Sequence, residues 1–310
     1  DRARKFGNVP RLVFEYDDVL AMRWFENTVD RVKEFNVETC KWFLRRAWRT
    51  GVTDRLLAFV PTNDYTERKI EPRSPGMEQL VHDHARSSLL VAALEVARTT
   101  MDPREFQAAC LTLLKANDTQ MMKWNTVVDL KDPKQSGDAR TFLTQLMAKM
   151  HEVEPFTSRS IVTLEPSVLY CSFNPNYPLV DCFRFARSPK AHLVCFQMTI
   201  ADKHPPTQSK WQAFIENFNE QTHFSVKAEV KKQPVRQRAT IVVEKDNTLH
   251  LQLAYTDSSN VLQIETQPLE LIIVFVTRND TFLPQNMAGA VTPAVIAQWQ
   301  HVKQWRLDVV

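Results

Sequence analysis

The sequence predicts an α+β chain, with a helical N-terminal part and a mixed α/β part after it. Three observations carry this. Apolar residues recur at helical spacing through most of 1–130. A polar stretch with Pro and Gly, KDPKQSGD at 131–138, interrupts the texture. Beyond it lie strand-like runs, of which LELIIVFVT at 269–277 is the most continuous and reads as a central strand buried on both faces. A chain of 310 residues suits two domains, placed at 1–135 and 136–310.

In the first part, Val19, Trp24, Phe25, Val29, Val32 and Phe35 define a helix over 17–36, with Asp17 or Asp18 as cap. A second helix covers 38–50 up to Gly51. Residues 61–76, punctuated by Pro61, Asn63, Asp64, Pro72, Pro75 and Gly76, read as a loop. A long helix over 77–101 follows, then one over 103–117 whose start is marked by Asp102, Pro103 and Glu105. No segment of 1–130 alternates for long. In the second part a helix over 139–153 precedes strands at 161–173, 179–186 and 191–200, the last two joined as a hairpin through Arg187, Ser188, Pro189 and Lys190. A helix at 207–222 carries Trp211, Phe214, Ile215 and Phe218. A hairpin follows, 238–244 with 248–256 around Asp246-Asn247, then the 269–277 strand, a helix at 293–300 and a strand at 302–309.

Composition narrows the functional classes. The hydrophobic fraction is 44% and the charged fraction 24%, ordinary values for a folded protein. Only 5 residues are glycine, and no GxxxxGK[ST] or GxGxxG occurs, which excludes a glycine-cradled nucleotide site. No apolar run is long enough for a membrane span, and charges throughout the first twenty residues speak against a signal peptide. The net charge of +3 is compatible with a nucleic-acid partner. The five cysteines, Cys40, Cys110, Cys171, Cys182 and Cys195, show no metal spacing and read as reduced, buried thiols of an intracellular protein. A first residue Asp1 suggests a piece of a longer protein.

The chemistry-bearing residues sit in the strand–strand–helix segment. Asp181 interrupts LVDCF, and Gln197 and Thr199 interrupt VCFQMTI two residues apart, on one side of a strand. An Asp on one strand with a polar pair on the next, in the order helix, three strands, helix, strand, is the layout of PD-(D/E)xK nucleases. There, hard oxygen ligands hold a divalent metal and a Lys stabilises charge. Gln197 stands where that motif has an acid, and Thr199 where it has Lys. Lys203 or Lys210 would supply the missing cation, and Glu152 or Glu154, expected at the end of the preceding helix, another ligand. The alternative is a strand-end Asp181 paired with an Arg, with Gln197 and Thr199 facing solvent. His204, beside Pro205-Pro206, either faces the Asp181 cleft or caps the next helix. The basic stretch Lys227, Lys231, Lys232, Arg236 and Arg238 is a candidate for phosphate contacts.

Residues 173–214 resemble the C-terminal part of the retrotransposon hot spot protein family, whose hallmark is "NFPxVDxF … LxGxQxTxxxxH". Tyr177, Pro178, Val180, Asp181 and Phe183 match its first half, and Leu193, Gln197, Thr199 and His204 its second. VPRLVFEYDDVLAMRWFENTV near the N-terminus is similar to the segment that follows that family's nucleotide-binding domain. The family, with the related Crinkler effectors, joins a P-loop NTPase to a restriction-endonuclease-like domain. The resemblance implies a helical adaptor or lid followed by a restriction-endonuclease-like mixed sheet, with Gln197 and Thr199 as family features. It implies a P-loop NTPase region upstream, nucleic acid as partner, and a nuclear or nuclear/cytoplasmic setting. On this reading Asp181, Gln197, Thr199, Lys203 and His204 would be catalytic. Asp181, Gln197 and Glu152 would hold Mg²⁺, while Lys210, Lys231, Lys232, Arg236 and Arg238 would contact nucleic acid. The rival expectation is a catalytically silent scaffold of the same fold, binding nucleic acid or chromatin and transcription partners. An apolar patch is expected on 1–130 where the NTPase would dock.

Overall fold

A computed structural model describes residues 17–45, 57–61, 68–72, 75–116, 126–150, 152–156, 162–172, 178–186, 190–201, 203, 205–226, 235–256, 262–278 and 280–309. The chain divides into two compact units, Asp1–Met122 with Val309–Val310, and Lys123–Asp308.

In the first unit, α1 (Asp18–Lys33) starts where the Asp17 carboxylate accepts from the Leu20 N–H, and α2 (Val37–Leu44) starts at Asn36 in the same way. The expected continuation of α2 over 46–50 lies outside the described residues. The stretch read as loop over 61–76 instead contains a strand, β2 (Arg68–Pro72), paired antiparallel with β1 (Leu57–Pro61), and the start of the next helix at Pro75. Each is too short for alternation to register in the sequence. The long helix expected at 77–101 is two, α3 (Pro75–His84) and α4 (Arg86–Thr99), with a break at Ala85. α5 (Pro103–Ala116) begins as expected, with the Asp102 carboxylate accepting from the Arg104 N–H at 2.7 Å. Cys40, Phe43, Leu89, Val96, Phe106 and Leu113 are buried in this unit. Val19, Leu20 and Met22, in the first turns of α1, are exposed.

The second unit is α+β, built on one curled mixed sheet. The chain runs through β3 (Val128–Asp129), α6 (Ser136–Ala148), β4 (Glu152–Phe156), β5 (Val162–Leu164), β6 (Val168–Ser172), β7 (Cys182–Ala186) and β8 (Ala191–Met198). It continues through α7 (Gln208–Gln221), β9 (Thr222–Val226), β10 (Val235–Val243), β11 (Leu249–Thr256), β12 (Leu262–Thr277), α8 (Pro293–Gln300) and β13 (Lys303–Asp308). The sheet path is β4-β6-β7-β8-β12-β11-β10-β9-β5, with β13 on β12 and β3 on β13. β3 explains why the domain boundary falls earlier than 135: Asp129 already pairs with Trp305.

The register builds the core. Leu193, Cys195 and Gln197 of β8 lie beside Leu271, Ile273 and Phe275 of β12, in parallel. α7 lays Trp211, Phe214 and Phe218 on this face, with Phe218 and Phe183 6.1 Å apart between ring centres. The sheet curls so that Ala239, Ile241, Leu251 and Leu253 of β10 and β11 join the same core. The opposite face of β8 meets α6, whose Phe142 ring lies 4.8 Å from His192 and 5.8 Å from Trp305. A sheet covered on both faces is why 191–198 and 269–277 are nearly uniformly apolar.

Polar groups lock the ends of these elements. Arg184, fully buried in β7, donates Nε and Nη2 to the Pro166 carbonyl at 3.0 and 2.7 Å, and Nη1 to the Leu146 carbonyl at the end of α6. Its burial lowers the guanidinium to about 10. Lys131 Nζ donates to the carbonyls of Trp299, Gln300 and Val302, closing the C-terminus of α8. At the amino ends of β8 and β13, Glu270, midway along β12, contacts His192 Nε2 at 3.0 Å and Lys303 Nζ at 2.6 Å. The hydrogen bond to His192, with that to Lys303, holds its carboxyl down at about 2 against the opposing effect of burial.

Candidate functional site

Asp181 reaches its place through a tight local turn. Val180 N–H donates to the Pro178 carbonyl at 2.9 Å, and Leu179 takes a left-handed φ of 69°. That conformation disfavours a branched side chain. Leu179 is nevertheless held there because its side chain is buried in the core. The register pairs Cys182 with Phe196, and the Asp181 N–H also donates to the Phe196 carbonyl at 2.8 Å. Two successive residues thus face one partner, as in a bulge. On its other side the Asp181 carbonyl accepts from the Ser172 N–H at 2.9 Å. Its backbone is therefore tied to both β6 and β8.

The carboxylate turns to the end of β8. Asp181 Oδ2 accepts from the Met198 N–H at 2.7 Å and from Gln197 Nε2 at 3.2 Å. Asp181 and Gln197 are each 9% exposed. Thr199, 5% exposed, follows the strand, its N–H donating to the Val276 carbonyl at 3.0 Å and its Oγ1 accepting from the Ala201 N–H. The structure brings Asp181, Gln197 and Thr199 together at the carboxyl end of β8, buried; Gln197 and Thr199 do not face solvent.

The other predicted residues are distributed differently. Glu152 is not at a helix end but is the first residue of β4, opposite Val168, whereas Asp181 meets β6 at Ser172, which pairs with Phe156. Four residues of strand, about 13 Å, separate the two levels, so Glu152 is not a partner of Asp181. The chain leaves α6 at Ala148 and turns into an edge strand, and this displaces the acid. Glu154 pairs with Tyr170, two residues short of the Asp181 level. Lys203 is exposed in the connection from β8 to α7, and Lys210 is exposed in the first turn of α7, where its N–H donates to Thr207 Oγ1. Arg238 is exposed on β10, its Nε donating to the Asn219 carbonyl at 3.3 Å. Arg236 lies two positions earlier on the same strand. His204, Lys231, Lys232 and the Arg236 side chain lie outside the described residues.

Sequence reading missed three neighbours. Thr277, fully buried, ends β12 opposite Asp308 of β13 and next to Thr199. Arg306, in the same cross-strand row as Gln197 and Phe275, sets Nε 2.9 Å from Asp308 Oδ1 and donates Nη2 to Oδ2 at 3.3 Å. The Nε–Oδ1 contact has ion-pair distance without hydrogen-bond alignment. Arg306 also donates Nη1 to the Asp280 carbonyl in the loop after β12. Burial pushes the Asp308 carboxyl up, and Arg306 opposes this. The available signal was positional: each is a polar residue at the end of a strand whose parallel neighbours also end there, where α/β sheets gather their polar groups.

A Mg²⁺ site needs several hard oxygen donors around one point, most of them anionic or water-borne. Here Asp181 supplies one carboxylate, and its Oδ2 is already directed at two N–H donors. The Gln197 group nearest to it is the amide nitrogen. Among the described residues no three His, Cys, Asp or Glu side chains gather in a way that could hold a metal ion. These residues do not fit a Mg²⁺ centre, and no chemical step is derived through one. No helix among the described residues is long and apolar enough to cross a membrane. No protein-family model, curated protein or solved structure matches the chain.

Proposed function

We propose that the chain is a nucleic-acid-associated protein whose second unit is a divergent restriction-endonuclease-like domain acting as a binding scaffold. One observation carries the reading: where the resemblance leads one to expect a metal-binding acid, the Asp181 carboxylate is a hydrogen-bond acceptor for β8. The element order supports the fold assignment. α6 precedes the β6-β7-β8 meander, α7 follows it, and β12 then lies parallel to β8, with β9 to β11 inserted between. The experiment is incubation of the chain with single-stranded and duplex DNA and RNA, with Mg²⁺ or Mn²⁺, beside Asp181→Ala. Binding without cleavage is the expected result.

Phosphodiester hydrolysis is the second reading, favoured by the direct contact between Asp181 and Gln197 on neighbouring strands and by Lys203 and Lys210 in the segment that follows. Cleavage that disappears in Asp181→Ala would establish it and displace the scaffold reading.

A further inference from the structure

The β10–β11 part of the sheet has one face in the core and one outside, and β9 and the first half of β12 continue the outer face. Ala239, Ile241, Leu251 and Leu253 face inward. The alternate positions form the outer face, and the register sets them side by side. Arg238 lies between His223 and Ala254, Thr240 beside Gln252, and Gln252 beside Thr266. Ile264 lies beside Ala254, and Leu262 beside Thr256. None of the strand positions on this face is Asp or Glu. Arg238 is exposed, and no carboxylate pairs with it among the described residues. Leu262 and Ile264 are 63% and 56% exposed.

We infer that this outer face binds a single-stranded nucleic acid; the inference rests on the nucleic-acid reading above and gives it a surface and a ligand class. The surface combines a cation for phosphate, the half-buried Thr240 and Gln252 side chains for base edges, and the exposed aliphatic Leu262 and Ile264 for base faces. A duplex keeps its base faces stacked inside and would use only the cation. A single strand uses all three.

The test is fluorescence anisotropy with labelled 20-nucleotide single strands of DNA and RNA and with a 20-base-pair duplex, at fixed salt. Single strands bind at least about tenfold more tightly than duplex, and Arg238→Glu and Ile264→Asp each weaken single-strand binding about tenfold. Leu283→Asp, at an exposed position off this face, changes nothing. Circular dichroism confirms that the variants fold. Equal or tighter duplex binding, or unchanged affinity in both face variants, overturns the inference. The same oligonucleotides, assayed for cleavage with Asp181→Ala, separate the readings. Asp181-dependent cleavage with Arg238-independent binding sinks this inference alone. Absence of all binding sinks the nucleic-acid reading itself.

Discussion

Replacing Asp181 with Ala separates a structural carboxylate from a functional one. The substitution leaves the Met198 N–H and the Gln197 amide without the acceptor they share, in a site where Asp181 and Gln197 are each 9% exposed. A buried donor that loses its acceptor costs about 1–3 kcal/mol. The 2.7 Å bond from the fixed Met198 amide belongs near the middle of that range, about 2 kcal/mol. The 3.2 Å bond from a side chain that can rotate belongs near the lower. Together they give a loss of about 3 kcal/mol. With a urea slope of about 2–3 kcal/mol per molar, the midpoint falls by roughly 1–1.5 M. Asp181→Asn keeps an acceptor oxygen but loses the charge, and costs about 1 kcal/mol. The assay is urea unfolding followed by tryptophan fluorescence, since Trp211, Trp299 and Trp305 all lie in the second unit. Hydrogen exchange at the Met198 amide accelerates in parallel. If Asp181→Ala is as stable as the parent, or more so, the reasoning is refuted. The carboxylate would then be a destabilising group kept for function, and the hydrolytic reading would gain.

Three further outcomes follow from the packing and charges. Glu270 has a folded value of about 2 against 4.5 unfolded, so the stability it confers is present above about pH 4.5 and is lost as pH falls toward 2. Urea midpoints between pH 7 and pH 3 drop by an amount worth about 2 kcal/mol, and Glu270→Gln flattens that drop. Phe218→Ala removes a ring buried against Phe183 and Phe214 and costs about 3–5 kcal/mol, read as a fall in melting temperature; a loss below about 1 kcal/mol contradicts the described core. Asn247, at φ 64° in the turn between β10 and β11, tolerates Gly within about 0.5 kcal/mol, whereas Asn247→Val loses about 1–2 kcal/mol in thermal unfolding.

What the sequence made legible was local. The 246–247 turn is specified by adjacent residues, and the α5 start by Asp102 and Pro103, so both were readable. The β7–β8 hairpin was readable too, and with it the meeting of Asp181 and Gln197. Its register is set next to the turn, where Ala186 pairs with His192, and runs unchanged to Cys182 with Phe196; the bulge at Asp181 comes after it. Non-local pairings were not legible. Nothing near 191–198 says that 269–276 lies parallel beside it, and nothing near Thr277 says that Asp308 ends the next strand. β12 was read as 269–277 because LQIETQP at 262–268 is polar and contains Pro. Those residues are a strand all the same, with β11 as their neighbour, and they are polar because both sides of them meet water.

The change along β12 has a consequence for how the second unit opens. Residues 272–276 are hydrogen-bonded between β8 and β13 and buried on both faces, while 262–266 pair with β11 and are exposed. Amides of one continuous strand therefore exchange with solvent by different routes. Those at the exposed end exchange through brief local fraying, and those at the buried end only when the whole sheet comes apart. The strand is a gradient of protection written into a single backbone. Loosening its outer end, by a ligand or by a substitution such as Ile264→Asp, leaves the inner end as the last amides to be released.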